Sequence, residues 1–246
     1  MIDPKAPEED TRDLIIVVTT PKSLDEYKAS DEYASVRRVA NQNPDQVSIQ
    51  INADNTKGLP EVYNTYIDSR YEGYYVCFIH DDLTLFDNDM FNKLQMAHKD
   101  YGMVGLAGAT DIMLPFDRNH RTAWHTLSRF DSDGWGVAPH QSGFVAHQKD
   151  GETWSTSFGP VPAQMILLDG LFMSFDIDAC LEKEFTFDER FKFHHYDLSA
   201  SLRAYKYGLG LTTWDIFVVH KGMGEMDDSW LDSHYEFVKA YGDFTK

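Results

Sequence analysis

The sequence predicts an α/β domain with a mostly parallel central sheet flanked by helices, and three observations carry that expectation. Leu14–Thr20 (LIIVVTT) and Tyr74–Ile79 (YYVCFI) are unbroken apolar runs rich in β-branched and aromatic residues, the form of strands covered on both faces. Segments of helical period lie between and after them. The resulting order, strand–helix–strand–helix–strand, calls for right-handed crossovers between parallel strands.

Taken in order, residues 1–12 are acidic and proline-bearing and read as a flexible lead-in to a single domain over 13–246. After the first strand, Ser23 and Asp25 are suited to start a helix running to about Val39. Val47–Ile51 alternates as a second strand. Asn52–Gly58 is loop chemistry, and Leu59–Arg70 a helix with Pro60 tolerated in its first turn. The run to Ile79 is a strand, Asp87–Lys99 a helix and Met103–Ala107 a short strand. Thr110–Ala163 breaks the rhythm, being rich in Gly, Pro, His, Trp and Ser, and its aromatic residues argue for function rather than disorder. Regular structure returns with a strand over Met165–Phe175, a helix capped by Asp176, a helix over Tyr196–Tyr207, a strand over Leu211–His220 and a last helix over Trp230–Tyr241.

Composition excludes several functions. The formal charge is −18, which repels polyanions, so general nucleic-acid binding is not expected. The same charge means that a phosphate-bearing ligand needs a metal or a few basic groups beside it. No run of 18 or more apolar residues occurs, so no transmembrane helix is expected. Two cysteines, Cys77 and Cys180, suggest neither a disulfide scaffold nor a thiolate zinc site and fit a cytoplasmic location.

The strand Tyr74–Ile79 ends in His80-Asp81-Asp82. Strand ends in such folds open onto the ligand crevice, and these three residues offer carboxylate oxygens and an imidazole to a divalent metal. A plain polar turn is the simpler alternative.

Three segments resemble one family, the glycosyltransferases of GT-A fold and in particular the family-2-like group. Asn55-Thr-Lys-Gly-Leu-Pro-Glu-Val-Tyr-Asn64 is similar to a glycine-to-asparagine segment beside the nucleotide diphosphate. His80-Asp81-Asp82 stands where the family has Asp-x-Asp, with histidine in the first carboxylate position. The segment Phe187–Gly208 resembles the Glu-Asp-x-Asp-Leu-x-x-Arg region, with Asp197, Arg203 and Gly208 in step and with Tyr196 and Ser199 departing from it. Leu168-Asp169-Gly170-Leu171-Phe172 looks like the strand that floors the acceptor site, and His220 like a late metal-binding histidine.

The resemblance implies a nucleotide-diphospho-sugar donor, Mn²⁺ or Mg²⁺ as cofactor and a carbohydrate or other hydroxyl-bearing acceptor. It implies a nucleotide-sugar-binding half over about 13–107, an acceptor half over 108–222 and a C-terminal loop and helix over 223–246. The metal falls to Asp82 and His220, with His80; the donor to Thr20, Asn55, Gly58, Asn64, Asp81 and Lys221. Asp169 and Gly170 fall to the substrate, and Asp197 is the general base of an inverting transfer. A helix N-terminus is expected to keep Asp197 ionised. His195 is the rival base, since imidazole suits proton transfer near pH 7. Trp124, Trp135 and Trp154 offer aromatic faces to an acceptor sugar. Two other readings stay open: a metal-dependent hydrolase or phosphodiesterase on the His/Asp cluster, and a carbohydrate-binding module without catalysis.

Overall fold

The computed structural model describes residues 12–110, 140–222 and 227–242. The first strand, β1 (Asp13–Thr19), leads to two short helices, α1 (Leu24–Lys28) and α2 (Asp31–Ala40), where one was expected. The break is local chemistry. Ser23 caps α1 in a capping box with Glu26, and the Ser30 hydroxyl accepts from the N–H of Tyr33 to start α2 afresh. β2 (Val47–Asn52) follows, then α3 (Leu59–Tyr63), shorter than expected, with Pro60 in its first turn and a 3₁₀ turn over Ser69–Tyr71 beyond it. Next come β3 (Tyr74–Ile79), β4 (Leu83–Leu85), α4 (Met90–Ala97), β5 (Met103–Gly105) and β6 (Ala107–Ala109).

Of the region expected to be irregular, the described residues 140–163 are mostly a β-hairpin, β7 (Gln141–Lys149) with β8 (Glu152–Gly159). Asp150 and Gly151 make its turn with φ of 52° and 83°, the left-handed pair that an Asp-Gly dipeptide supplies. The expected strand over Met165–Phe175 is three pieces, β9 (Ala163–Met165), β10 (Leu167–Leu168) and β11 (Phe172–Asp176). α5 (Ile177–Glu182) begins at Asp176, whose carboxylate accepts from the N–H of Ala179, and α6 (Tyr196–Tyr207) follows. The expected strand over Leu211–His220 divides into β12 (Leu211–Thr213) and β13 (Val218–His220), and α7 (Asp228–Tyr241) is the last helix described. Among the described residues, no helix is long and apolar enough to cross a membrane.

The strands form two sheets. The larger has the order β2-β1-β3-β11-β5-β12-β9 and the smaller β10-β6-β7-β13-β4, with β8 paired to β7. The large sheet is mixed rather than mostly parallel. β1 pairs in parallel with β2 and β3, and β12 with β5, whereas β11 runs antiparallel between β3 and β5 and β9 antiparallel to β12. The α/β class holds; the direction of β11 is what apolar runs alone do not encode.

That direction positions the site. Because β11 opposes β3, its beginning lies beside the end of β3, with Phe172 opposite Ile79 and the Leu171 carbonyl accepting the His80 N–H at 3.0 Å. The loop before β11, Asp169-Gly170, therefore meets His80-Asp81-Asp82. In the smaller sheet β13 pairs antiparallel with β4, His220 opposite Leu83, and parallel with β7, His220 opposite His147. Two sheets thus converge on one edge.

Behind that edge, Phe78 is fully buried, stacked on Tyr63 at 4.0 Å and edge-on to Phe175 and Phe187. Truncating such a ring removes its contacts and leaves a cavity. Phe78→Ala is expected to cost about 3–5 kcal/mol in urea unfolding; a loss below about 1 kcal/mol would mean the aromatic cluster is not the packed centre described.

Candidate functional site

Asp82, His80 and His220 form a compact cluster at this edge, their ligand atoms all within 4.8 Å of one another. His220 Nε2 lies 3.4 Å and His80 Nδ1 3.9 Å from Asp82 Oδ1. That oxygen is buried and has no hydrogen-bond partner among the described residues. A buried carboxylate oxygen facing two imidazoles is what a cation would satisfy. The wall above is Gly222, where a Cβ would stand 2.2 Å from Asp82 Oδ2 and 3.0 Å from His220 Nε2. Any larger residue would fill the cluster, so this chemistry and space fit a divalent ion.

The charges agree. Burial holds the His80 imidazole below its ordinary pKa, so it is neutral and able to ligate. Burial alone would lower His220 and raise Asp82; their mutual attraction reverses both, leaving His220 raised and Asp82 lowered.

A carboxylate pair, Asp169 and Asp197, stands across the loop before β11. The Gly170 N–H donates to Asp197 Oδ2 at 3.2 Å, and the Leu171 N–H donates to Asp169 Oδ1 at 2.9 Å. Burial first, and then the negative charge of Asp169, push Asp197 up to about 7, against the weaker pull of backbone N–H groups. The expectation that the helix N-terminus keeps Asp197 ionised is therefore corrected. Desolvation and a like charge outweigh a helix terminus whose influence is confined to its first turn. Tyr196 joins the two halves: its hydroxyl donates to the Gly170 carbonyl at 2.8 Å and meets His80 Nε2 at 2.9 Å.

The other candidates lie as follows. Thr20 is buried, and its hydroxyl donates to Asp81 Oδ2 at 2.5 Å, with Lys22 Nζ 3.0 Å from the same oxygen. Asn55 folds back on its own loop, accepting from the Lys57 N–H and donating to the Lys57 carbonyl. At Gly58 the close approach is to the chain's own Lys192, whose Cα would lie 3.0 Å from an added Cβ. Asn64 clamps the segment before α6: it accepts from the Phe187 N–H at 2.8 Å and donates to the Phe187 carbonyl and Glu189. Lys221 is ion-paired with Glu32.

His195 lies just before α6 with φ of 60°, a left-handed conformation that is costly without a compensating framework. Its Nδ1 meets the Ser233 hydroxyl at 3.0 Å and its ring packs on Trp230 and Phe237, so α7 is that framework. Trp154 is 39% exposed and stacks at 5.5 Å on His147, whose ring is 6.0 Å from that of His220. Trp124 and Trp135 lie outside the described residues.

Sequence reasoning passed over His147, Tyr196, Lys22 and Gly222 as site residues. The Asp150-Gly151 hairpin turn was the available signal for His147, since it fixes His147 opposite Trp154. Gly222 gave none, because its partner Asp82 is distant in sequence.

The sequence model of a family described as "Glycosyltransferase like family" matches residues 33–241. The chain belongs to that glycosyltransferase-like family. Among solved structures, it is similar to S. aureus TarS residues 1–349 (8% identity, TM-score 0.48, covering 94% of this chain and 74% of that one). It is also similar to A197 from STIV (9% identity, TM-score 0.45, covering 85% of each chain). No curated protein sequence matches it.

Asp197 carries a pH-dependent cost to this glycosyltransferase. The folded protein keeps its proton up to about pH 7, whereas an unfolded aspartate releases it near about 4. Between those values the unfolded state gains relative stability as pH rises, and above about 7 the penalty is constant. Asp197→Asn removes it. In EDTA the variant should melt with the parent near pH 4 and several degrees above it at pH 8; a difference that does not grow with pH would mean Asp197 ionises freely.

Proposed function

We propose that this enzyme transfers a sugar from a nucleotide-diphospho-sugar to an acceptor hydroxyl with inversion, on a GT-A arrangement in which Asp197 is the general base. The observation that carries the reading is that a carboxylate of raised pKa and the Asp82 cluster meet across Gly170 and the Tyr196 hydroxyl. Metal-assisted departure of a diphosphate on one side and proton removal on the other are the two needs of this reaction.

The acceptor oxygen forms a bond to the anomeric carbon as the bond from that carbon to the diphosphate oxygen breaks. The acceptor proton passes to the Asp197 carboxylate, and the nucleoside diphosphate leaves with the bonding electrons. Mn²⁺ or Mg²⁺ held by Asp82, His220 and His80 would neutralise the diphosphate as it departs. Burial, and then the negative charge of Asp169, keep Asp197 basic, so the proton is held tightly enough to be taken near neutral pH.

On the donor side, the reading places the nucleotide near Thr20 and Asp81, beside Lys22. Asn55, Gly58, Asn64 and Lys221 act there through the loops they hold rather than by reaching the phosphates. On the acceptor side, Trp154 on its His147 support offers an exposed aromatic face to a sugar ring. The reading divides the chain into a donor half over 13–107 and an acceptor half over 108–222. It is also a cytoplasmic reading, supported by two buried free cysteines.

The deciding experiment is a thermal-shift screen of UDP- and GDP-sugars with and without Mn²⁺. The parent should gain stability from its donor only with the ion, and Asp82→Ala should lose that gain while folding normally. Asp197→Asn should lower kcat by about 10²–10⁴ with donor affinity kept, and the parent's kcat/KM should climb through about pH 7 as Asp197 loses its proton. If His195→Ala costs more kcat than Asp197→Asn, the base assignment is wrong.

Trp154→Ala should raise the acceptor KM and leave donor hydrolysis nearly unchanged. Equal loss of both activities would assign the ring to packing.

A further inference from the structure

The segment that presents Asp197 is gripped by α7 at two successive residues. Ser233 donates its hydroxyl hydrogen to the His194 carbonyl at 2.8 Å. A serine hydroxyl has one hydrogen, so its oxygen is left to accept from His195, whose Nδ1 lies 3.0 Å away and bears the N–H. One turn earlier on the same face of α7, Ser229 meets His194 Nε2 at 3.2 Å. Trp230 and Phe237, also on α7, pack against the His195 ring.

What the Ser233 hydroxyl spans decides its role. The His194 carbonyl lies on one side of the His195 N–Cα bond and the His195 ring on the other, and the torsion about that bond is φ. A group that holds both therefore fixes φ, here at 60°. Released, a residue with a side chain relaxes toward negative φ. The first turn of α6 would move with it, because the His195 carbonyl accepts the Ser199 N–H at 2.9 Å. Asp197 stands in that turn, its carboxylate against the Gly170 N–H.

We propose that Ser233 is a positioning residue for the transfer: by spanning the His194 carbonyl and the His195 ring, it sets the backbone turn that aims the Asp197 carboxylate into the crevice. It acts through His195 and touches no substrate. The last helix thereby belongs to the machinery of the base. The inference rests on the reading that Asp197 is the general base.

One test needs no substrate. The carboxyl carbon of Asp197 is followed by ¹³C NMR through a pH titration in EDTA. The parent's midpoint lies at about 7, raised by burial and then by Asp169. In Ser233→Ala it should fall by about one unit or more as the carboxylate turns toward water, whereas Ser233→Thr keeps the hydroxyl and should hold the parent's value. A serine that only docks α7 would lower the melting temperature of Ser233→Ala and leave the midpoint in place, and that result overturns the proposal.

A second test uses the UDP- or GDP-sugar that stabilises the parent. Ser233→Ala should lower kcat by about 10–10²-fold and keep the donor-induced thermal shift. If Asp197→Asn leaves kcat intact, the base reading falls and this inference with it. If Asp197→Asn lowers kcat and Ser233→Ala does not, this inference falls alone. Should Ser233→Ala fail to fold, two variants of His195 decide. His195→Gly and His195→Ala lose the same ring, but glycine takes φ of 60° without steric cost and alanine does not. His195→Gly should therefore retain several-fold more kcat than His195→Ala; equal or lower kcat in His195→Gly overturns the proposal.

Discussion

At Gly170 the chain has no room for a side chain: a Cβ there would stand 2.5 Å from the Tyr196 hydroxyl and 2.9 Å from the Asp197 Cβ. That contact presses the loop before β11 against the first turn of α6, and the rest of the site depends on it. Within one residue, the N–H of Gly170 holds Asp197 and its carbonyl orients Tyr196, which in turn meets His80. The next carbonyl, that of Leu171, takes the His80 N–H. The candidate base and the candidate metal ligand are thus held relative to each other by backbone groups, which are stiffer than chains of side-chain contacts.

Two further devices keep that arrangement in place. The left-handed turn at His195 aims Tyr196 and Asp197 into the crevice, and α7 holds His195 there through Ser233, Trp230 and Phe237. On the other side of the cluster, Lys221 is tied by its backbone N–H to the Asp82 carbonyl and by its ammonium to Glu32 of α2. His220 is therefore fixed by β4 and β7 within its own sheet and, through Lys221, by the loop after β3 and by α2. Several residues first read as ligand contacts, Asn64 and Lys221 among them, do this quieter work. In a chain of charge −18, these cations and amides are thus committed to structure.

The sequence was most legible where chemistry is local. Apolar runs revealed β1 and β3 in nearly their final bounds, and Asp176 and Pro60 stood at helix starts as their chemistry requires. Legibility failed where one run serves two sheets. Leu211–His220 reads as one strand, yet β12 pairs with β5 and β13 with β4 and β7. The irregular label on Thr110–Ala163 hid a hairpin whose Asp-Gly turn was in plain view, because its strands carry few of the apolar residues that mark a buried strand.

By itself the sequence determined the α/β class, the strand ending in His80-Asp81-Asp82, the helix beginning at Tyr196-Asp197 and the family resemblance that the match over residues 33–241 supports. These follow from side-chain periodicity and short motifs, which act over a few neighbouring residues. Only the tertiary structure decided that β11 runs antiparallel, that His80, Asp82 and His220 bring their ligand atoms within 4.8 Å of one another, and that Asp197 holds its proton to about pH 7. Strand direction is set by how distant segments pack. A pKa is set by how much water and charge surround a group, and both are properties of the folded chain alone.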